Sequence, residues 1–147
     1  MIRGAEAGEM EVVRALFREY QQHLGIDLCF QSFEAELANL PGKYVGIWFA
    51  EVDGEIAGVV ALRPWAEGIG EMKRLFVRPG FQGRGLGKAL AETVVSASRQ
   101  AGYRALRLDT LPSMAAAVGM YRAVGFQDIE PYTVNPVPGA LFLELTL

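Results

Sequence analysis

Residues 71–90, EMKRLFVRPGFQGRGLGKAL, set an apolar strand-like run, a Pro-Gly break, three glycines at alternate positions and the start of a helical pattern into one short span. A strand that ends in a glycine-rich turn and opens a helix presents unpaired backbone N–H groups and the positive end of the helix dipole, which together favour an anion. Two well-known phosphate loops fail here. Gly83-Arg84-Gly85-Leu86-Gly87 continues with Lys88 where a dinucleotide fingerprint needs its third glycine. The nucleoside triphosphate loop fails as well, because the glycine spacing is one residue short and Ala89 stands where a metal-binding hydroxyl belongs. A plain helix-capping turn is the alternative, yet one Ser, Asp or Gly would suffice for that.

On the N-terminal side, a short strand around Ile2 precedes a helix from Gly8 to Leu24, whose Val13, Leu16, Phe17, Tyr20 and Leu24 fall on one face, with Gly25 as its C-terminal cap. QSFEAELANLPG predicts a shorter helix with Ser32 as N-cap, stopped by Pro41 and Gly42. The two apolar runs flanking Asp53-Gly54 predict a hairpin, because that dipeptide accepts the positive φ angles of a tight turn. Residues 69–78 form the next strand, and simple alternation places Glu71 on one face with Lys73, Leu75 and Val77.

On the C-terminal side, Leu86, Leu90, Val94 and Ala97 line one helical face before Gly102. YRALRLDT predicts a strand, SMAAAVGMYRAVG a helix ending at Gly125, and ALFLELTL a closing strand after the Pro-rich EPYTVNPVPG. The order β-α-α-β-β-β-α-β-α with one or two final strands implies a mixed α+β fold, a single domain over residues 1–147.

Composition narrows the function. The 147 residues are 51% apolar and 21% charged, the balance of a water-soluble globular chain long enough for a real core. No apolar run approaches the length of a spanning helix and the N-terminus lacks a signal-peptide layout, so the expected location is cytoplasmic with no membrane partner. A net charge of −3 gives no general attraction for nucleic acid. Lys73, Arg74, Arg78, Arg84 and Lys88 nevertheless cluster around the glycine loop, which suits a small polyanion. Cys29 is the sole cysteine, and no His/Cys/carboxylate cluster has ligand spacing, so neither a disulfide nor a metal is expected.

QxxGxG, as Gln82-Gly83-Arg84-Gly85-Leu86-Gly87, with MKRLFVRP before it and MYRAVGF some thirty residues later, resembles the GCN5-related N-acetyltransferase (GNAT) superfamily. The resemblance covers essentially the whole chain and is strongest from Glu71 to Phe126. It implies a central mixed, mostly antiparallel twisted sheet flanked by about four helices, and acetyl-CoA as co-substrate. In that family the loop holds the pyrophosphate, a role that falls by position to Gln82, Gly83, Arg84, Gly85, Leu86, Gly87 and Lys88. Backbone groups of Leu75, Phe76 and Val77 would pair with the pantetheine arm, and the Val77 backbone would face the developing oxyanion.

The family's general acid matches Tyr121, four residues before Gly125, although a helical tyrosine on an apolar face is ordinarily core. Glu71 matches the place of a catalytic glutamate in several members; a water-mediated base, or an ion pair of Glu71 with Lys73 or Arg74, are the alternatives. Met114 stands where many members carry an asparagine, leaving Ser113, Thr110 or water for that contact. Acceptor candidates are Arg63, Tyr20, Phe30 and Tyr132, with Asp27 and Tyr44 in the same regions. Arg63 could clamp an acceptor carboxylate or pair with Glu67 or Glu71. His23, Trp48 and Trp65 read as cap and packing residues.

The expected activity is acetyl transfer from acetyl-CoA to a primary amine of a small molecule, such as an amino acid. A peptide or protein acetyltransferase and a non-catalytic acyl-CoA sensor are the competing readings. Family resemblance leaves the choice between monomer and homodimer open.

Overall fold

The computed structural model describes residues 1–25 and 32–147. The elements run β1 (Ile2–Gly4), α1 (Met10–Leu24), α2 (Phe33–Ala38), β2 (Gly46–Val52), β3 (Glu55–Ala66), β4 (Ile69–Val77), α3 (Leu86–Gln100), β5 (Ala105–Thr110), α4 (Ala115–Val124), β6 (Gln127–Asp128) and β7 (Leu141–Thr146). The strands form one seven-stranded sheet in the order β1-β2-β3-β4-β5-β7-β6. All neighbours are antiparallel except β4 and β5, which α3 joins as a parallel crossover.

Local chemistry explains the elements. Val52 pairs with Glu55 across a two-residue turn in which Asp53 and Gly54 have φ of 52° and 78°, the geometry that a twisted hairpin requires. α1 buries Val13, Leu16 and Phe17, each contributing about 1.5–3 kcal/mol by leaving water. Ser32 stands at the N-cap position of α2, but its side chain makes no capping hydrogen bond.

The sheet has helices on both faces. Ile47, Phe49, Val59 and Ala61 pack with Val13, Leu16, Phe17, Phe33 and Leu37 on the α1/α2 side. Ala50, Val60 and Leu62, in alternate phase, pack with Leu90, Val94, Tyr121 and Phe126 on the α3/α4 side.

β4 breaks this alternation. Val59 pairs with Phe76 but Ala61 with Lys73, so β4 carries one extra residue, a bulge at Arg74 with φ of 61°. Met72, Leu75 and Val77 therefore face α3, while Phe76 packs with α1 and Glu71, Lys73 and Arg74 line a cavity with Glu36 of α2. The expectation that Glu71 shares a face with Lys73, Leu75 and Val77 is corrected: only Lys73 does, because the inserted residue inverts the phase of everything after it.

The basic cluster also disperses. Arg74 is buried and binds Glu36 through Nε and Nη2 at 3.0 and 2.7 Å, and its guanidinium lies 5.1 Å from the Phe33 ring. Arg78 binds Glu19 at 2.9 and 2.8 Å, and Lys73 meets Asp109 at 3.3 Å. Arg84 and Lys88 alone of the five remain exposed beside the loop.

Candidate active site

β4 and β5 pair only over Ile69–Glu71 and Ala105–Arg107, after which the two strands part. Arg78 donates its amide to Ala57 O, so the neighbouring Gly58–Val77 pair is a non-hydrogen-bonded one. The Val77 amide and carbonyl thus point away from β3 into the gap. By alternation the Leu75 groups do the same, and those of Phe76 face β3. Of the three residues named for pairing with a ligand arm, Leu75 and Val77 offer backbone groups to the gap.

At the wide end of the gap lies a groove of about 440 Å³ whose walls include Leu75, Val77, Gln82, Gly85, Lys88 and Met120. Phe76, Gly83, Leu86 and Gly87 also border it, as do His23, Ser113 and Met114, whereas Arg84 does not and instead lies 5.4 Å from the Phe81 ring. Gln82 donates its side-chain amide to Val77 O at 3.1 Å and ties the loop to the strand end. Gly85 is the N-cap of α3, has φ of 77° and places no side chain over the helix's first-turn amides. A Cβ built on Gly83 or Gly85 would meet no protein atom within 4 Å, so a ligand can approach this backbone closely. Open amides, a helix N-terminus and nearby cations fit the pyrophosphate of acetyl-CoA.

A small chamber of about 40 Å³ adjoins the groove through Leu75 and Met114. Tyr121 borders it, 6% exposed, with its ring edge-on to Phe126 at 5.8 Å. Burial, reinforced by the charge of Asp109, pushes its phenol above the ordinary range, so it is a proton donor at neutral pH. Tyr20 and Thr110 line the same chamber, and burial raises the Tyr20 phenol too.

Beyond Lys73, Arg74 and Asp109, which border both spaces, lies a charged compartment of about 130 Å³. Glu36, Arg63, Trp65 and Glu71 complete it with Thr133 and Val134. Arg63 and Glu36 then open onto an outer cavity of about 450 Å³ that includes Tyr44. Shared wall residues thus set the outer cavity, the charged compartment, the chamber and the groove side by side.

Glu71 is 1% exposed and accepts a hydrogen bond from the Tyr132 hydroxyl at 2.6 Å. Arg63 stands opposite Glu71 in the β3–β4 ladder with Nε 3.8 Å from the carboxylate, too long for a hydrogen bond. That Nε is buried with no hydrogen-bond partner, and the guanidinium lies 5.5 Å from the Trp65 ring. Tyr132 is edge-on to Trp65 at 5.1 Å and to Phe142 at 5.7 Å; burial and the Glu71 charge raise its phenol strongly. The second carboxylate, Asp109, takes Lys73 Nζ at 3.3 Å and Asn135 Nδ2 at 3.0 Å. Residues 129–140 are thus pinned to both carboxylates, by Tyr132 and by Asn135.

Tyr121, Tyr20, Glu71 and Arg63 line these adjoining spaces and Tyr132 reaches them through Glu71, whereas Asp27 and Phe30 lie outside the described residues. Glu71 meets Arg63, one of the two partners offered for that arginine, and Tyr132; the alternative pair of Glu71 with Lys73 or Arg74 does not form, since those cations go to Asp109 and Glu36. Trp65, read as packing, walls the charged compartment. Asp109 and Asn135 escaped notice; their signal was an acid at the end of an apolar strand, LRLDT, and an Asn-Pro turn within EPYTVNPVPG. No helix among the described residues is long and apolar enough to cross a membrane.

The acetyltransferase (GNAT) family profile matches residues 10–126. An uncharacterized N-acetyltransferase of Schizosaccharomyces pombe is 38% identical over 145 residues, 95% of this chain and 89% of that protein. An IAA acetyltransferase of Azospirillum brasilense is 32% identical over 146 residues, 97% and 95% of the two chains. A Salmonella typhimurium acetyltransferase solved with its cofactor acetyl-CoA superposes with a TM-score of 0.78 at 18% identity, covering 99% of this chain and 92% of that one.

Proposed function

The chain belongs to the acetyltransferase (GNAT) family, and on that premise we propose that it transfers an acetyl group from acetyl-CoA directly to the primary amine of a small molecule, an amino acid or similar amino compound. The coarser statement, an acyl-CoA-dependent N-acetyltransferase, follows from the family itself. The observation that carries the finer one is the charged compartment beyond Tyr121. It is small, is walled by Glu36, Glu71, Asp109, Arg63, Lys73 and Arg74, and is roofed by residues 129–140. Such walls suit a compact molecule bearing both charges better than an extended peptide.

Acetyl-CoA, when bound, supplies the thioester. The backbone of Gln82 to Lys88 holds its pyrophosphate, and Leu75 and Val77 turn amides and carbonyls towards its arm. The Val77 amide steadies the thioester oxygen as charge gathers there. Glu71 takes the proton of the acceptor amine, through a water where the two do not touch, and Tyr121 delivers its proton to the departing sulfur. The acceptor nitrogen gives up two protons: the first leaves the ammonium for Glu71 and passes on to solvent, and the second, lost as the N–C bond forms and the C–S bond breaks, replaces through solvent the one that Tyr121 gives to sulfur, so one proton is released net.

The test is thermal unfolding with and without acetyl-CoA, followed by thiol release over pools of amino acids, polyamines, aminoglycosides and peptides. A raised midpoint with release from a small-amine pool is the expected result. Release from peptides alone would make the chain a protein modifier, a raised midpoint without release would make it a sensor, and no shift would remove the coenzyme site.

A further inference from the structure

Glu71 is the carboxylate that the sequence motif singles out, yet it borders only the charged compartment. Asp109 borders both that compartment and the chamber holding Tyr121. It is therefore the carboxylate nearer to the place where a thioester from the groove and an amine from the compartment would meet. Its side chain is 4% exposed, so it strongly favours a cationic partner.

Its two oxygens are held differently. Asn135, anchored in turn by the Val137 amide at 3.1 Å, donates to Oδ2 at 3.0 Å and fixes the carboxylate's orientation. Oδ1 carries Lys73 Nζ at 3.3 Å, a longer contact than the 2.7–3.0 Å of the Arg74–Glu36, Arg78–Glu19 and Arg107–Glu144 pairs. What rests on Oδ1 is thus a primary alkylammonium on a flexible four-carbon stem, loosely held, with Glu36 and Glu71 in the same compartment to receive it if it swings away.

We propose that Asp109 is the acceptor-binding carboxylate, taking an N–H of the acceptor's amino group on Oδ1, and that the Lys73 ammonium is the resident group the acceptor displaces. The exchange keeps Asp109 paired, since one ammonium replaces another on the same oxygen. An amine that has lost its proton still has N–H groups, so Asp109 continues to orient it with the lone pair directed at the thioester. Asp109 is in this way a binding and positioning residue, separate from Glu71 as proton acceptor. The idea rests on the acetyltransferase reading only for the identity of the second reactant.

The test uses ethylammonium chloride, which reproduces the end of a lysine side chain. Lys73→Ala vacates Oδ1, and its unfolding midpoint should rise by roughly 3 °C or more in 100 mM ethylammonium chloride relative to sodium chloride. Wild type should respond far less. Lys73→Ala/Asp109→Asn, which removes both charges and so avoids an unpaired buried one, should not respond. In turnover with ethylamine as acceptor, Asp109→Asn should raise the ethylamine KM roughly 10- to 100-fold and leave the acetyl-CoA KM within about twofold, while Lys73→Ala lowers the ethylamine KM. No ethylammonium effect on Lys73→Ala, or an equal effect on the double variant, overturns the assignment, as does an unchanged ethylamine KM in Asp109→Asn. An intact ethylammonium effect without thiol release from any amine would defeat acetyl transfer and leave the amine site standing.

Discussion

Replacing Gly85 by alanine separates the fold from the coenzyme site. Gly85 has φ of 77° and caps α3, and its missing Cβ would meet no protein atom within 4 Å. The folded protein therefore loses no packing, and the cost is conformational: about 1–2 kcal/mol for an L-residue in the left-handed region, offset by about 0.4–1 kcal/mol from a stiffer unfolded chain. A net loss near 1 kcal/mol should lower the unfolding midpoint by about 2–4 °C in a chain of this size. The new methyl, however, stands where a phosphate must reach the loop amides. Losing one charge-assisted hydrogen bond there costs about 1.5–3 kcal/mol, or about 10- to 150-fold in affinity. Calorimetric titration with coenzyme A, beside a thermal melt, measures both. A variant that melts as expected but binds coenzyme A like wild type would refute the loop as the phosphate site.

Three further perturbations follow from the same geometry. Tyr121→Phe should lower kcat by roughly 10²-fold or more while leaving coenzyme affinity nearly intact; because burial raises this phenol and keeps it protonated through pH 6–9, the profile should fall in height without changing shape in that range, and an unchanged kcat would take Tyr121 out of the mechanism. Tyr132→Phe removes the 2.6 Å bond to buried Glu71, worth about 1.5–3 kcal/mol, and should lower the midpoint by roughly 3–10 °C; a midpoint within a degree of wild type would mean that this bond does not hold residues 129–140. Glu9, hydrogen-bonded by Arg3 and by the Glu6 amide, has its carboxyl lowered from 4.5 to about 2, so its contribution to stability is complete above pH 4.5 and disappears as pH falls through about 2. The stability gap between wild type and Glu9→Gln, followed by urea unfolding at several pH values, should close over that window, and a gap independent of pH would contradict the linkage.

Much of the architecture was legible because it is local. Asp53-Gly54 names its own turn, the spacing of Val13, Leu16 and Phe17 names a buried helix face, and the glycines of residues 83–87 announce an open backbone at a helix start. The bulge in β4 was not legible, since an arginine with φ of 61° has no local signature. Its conformation persists among Glu36, Phe33 and the β3 residues Val59 and Ala61 that flank the bulge, partners at least 13 residues away in sequence. That one residue rearranged the predicted site, sending Leu75 and Val77 to the groove face and leaving Glu71 and Lys73 on the other.

The sequence by itself determined the order of the main elements and the glycine loop, because turn chemistry and hydrophobic period act over a few residues, while Tyr121 and Glu71 were singled out by family resemblance. Only the tertiary structure decided which charges face each other. Glu36 from α2, Arg63 from β3, Glu71 and Lys73 from β4, Asp109 from β5, and Tyr132 and Asn135 from residues 129–140 meet at the split sheet from five segments of chain. A buried charge must find a partner wherever the fold places one, and no spacing along the chain records that meeting.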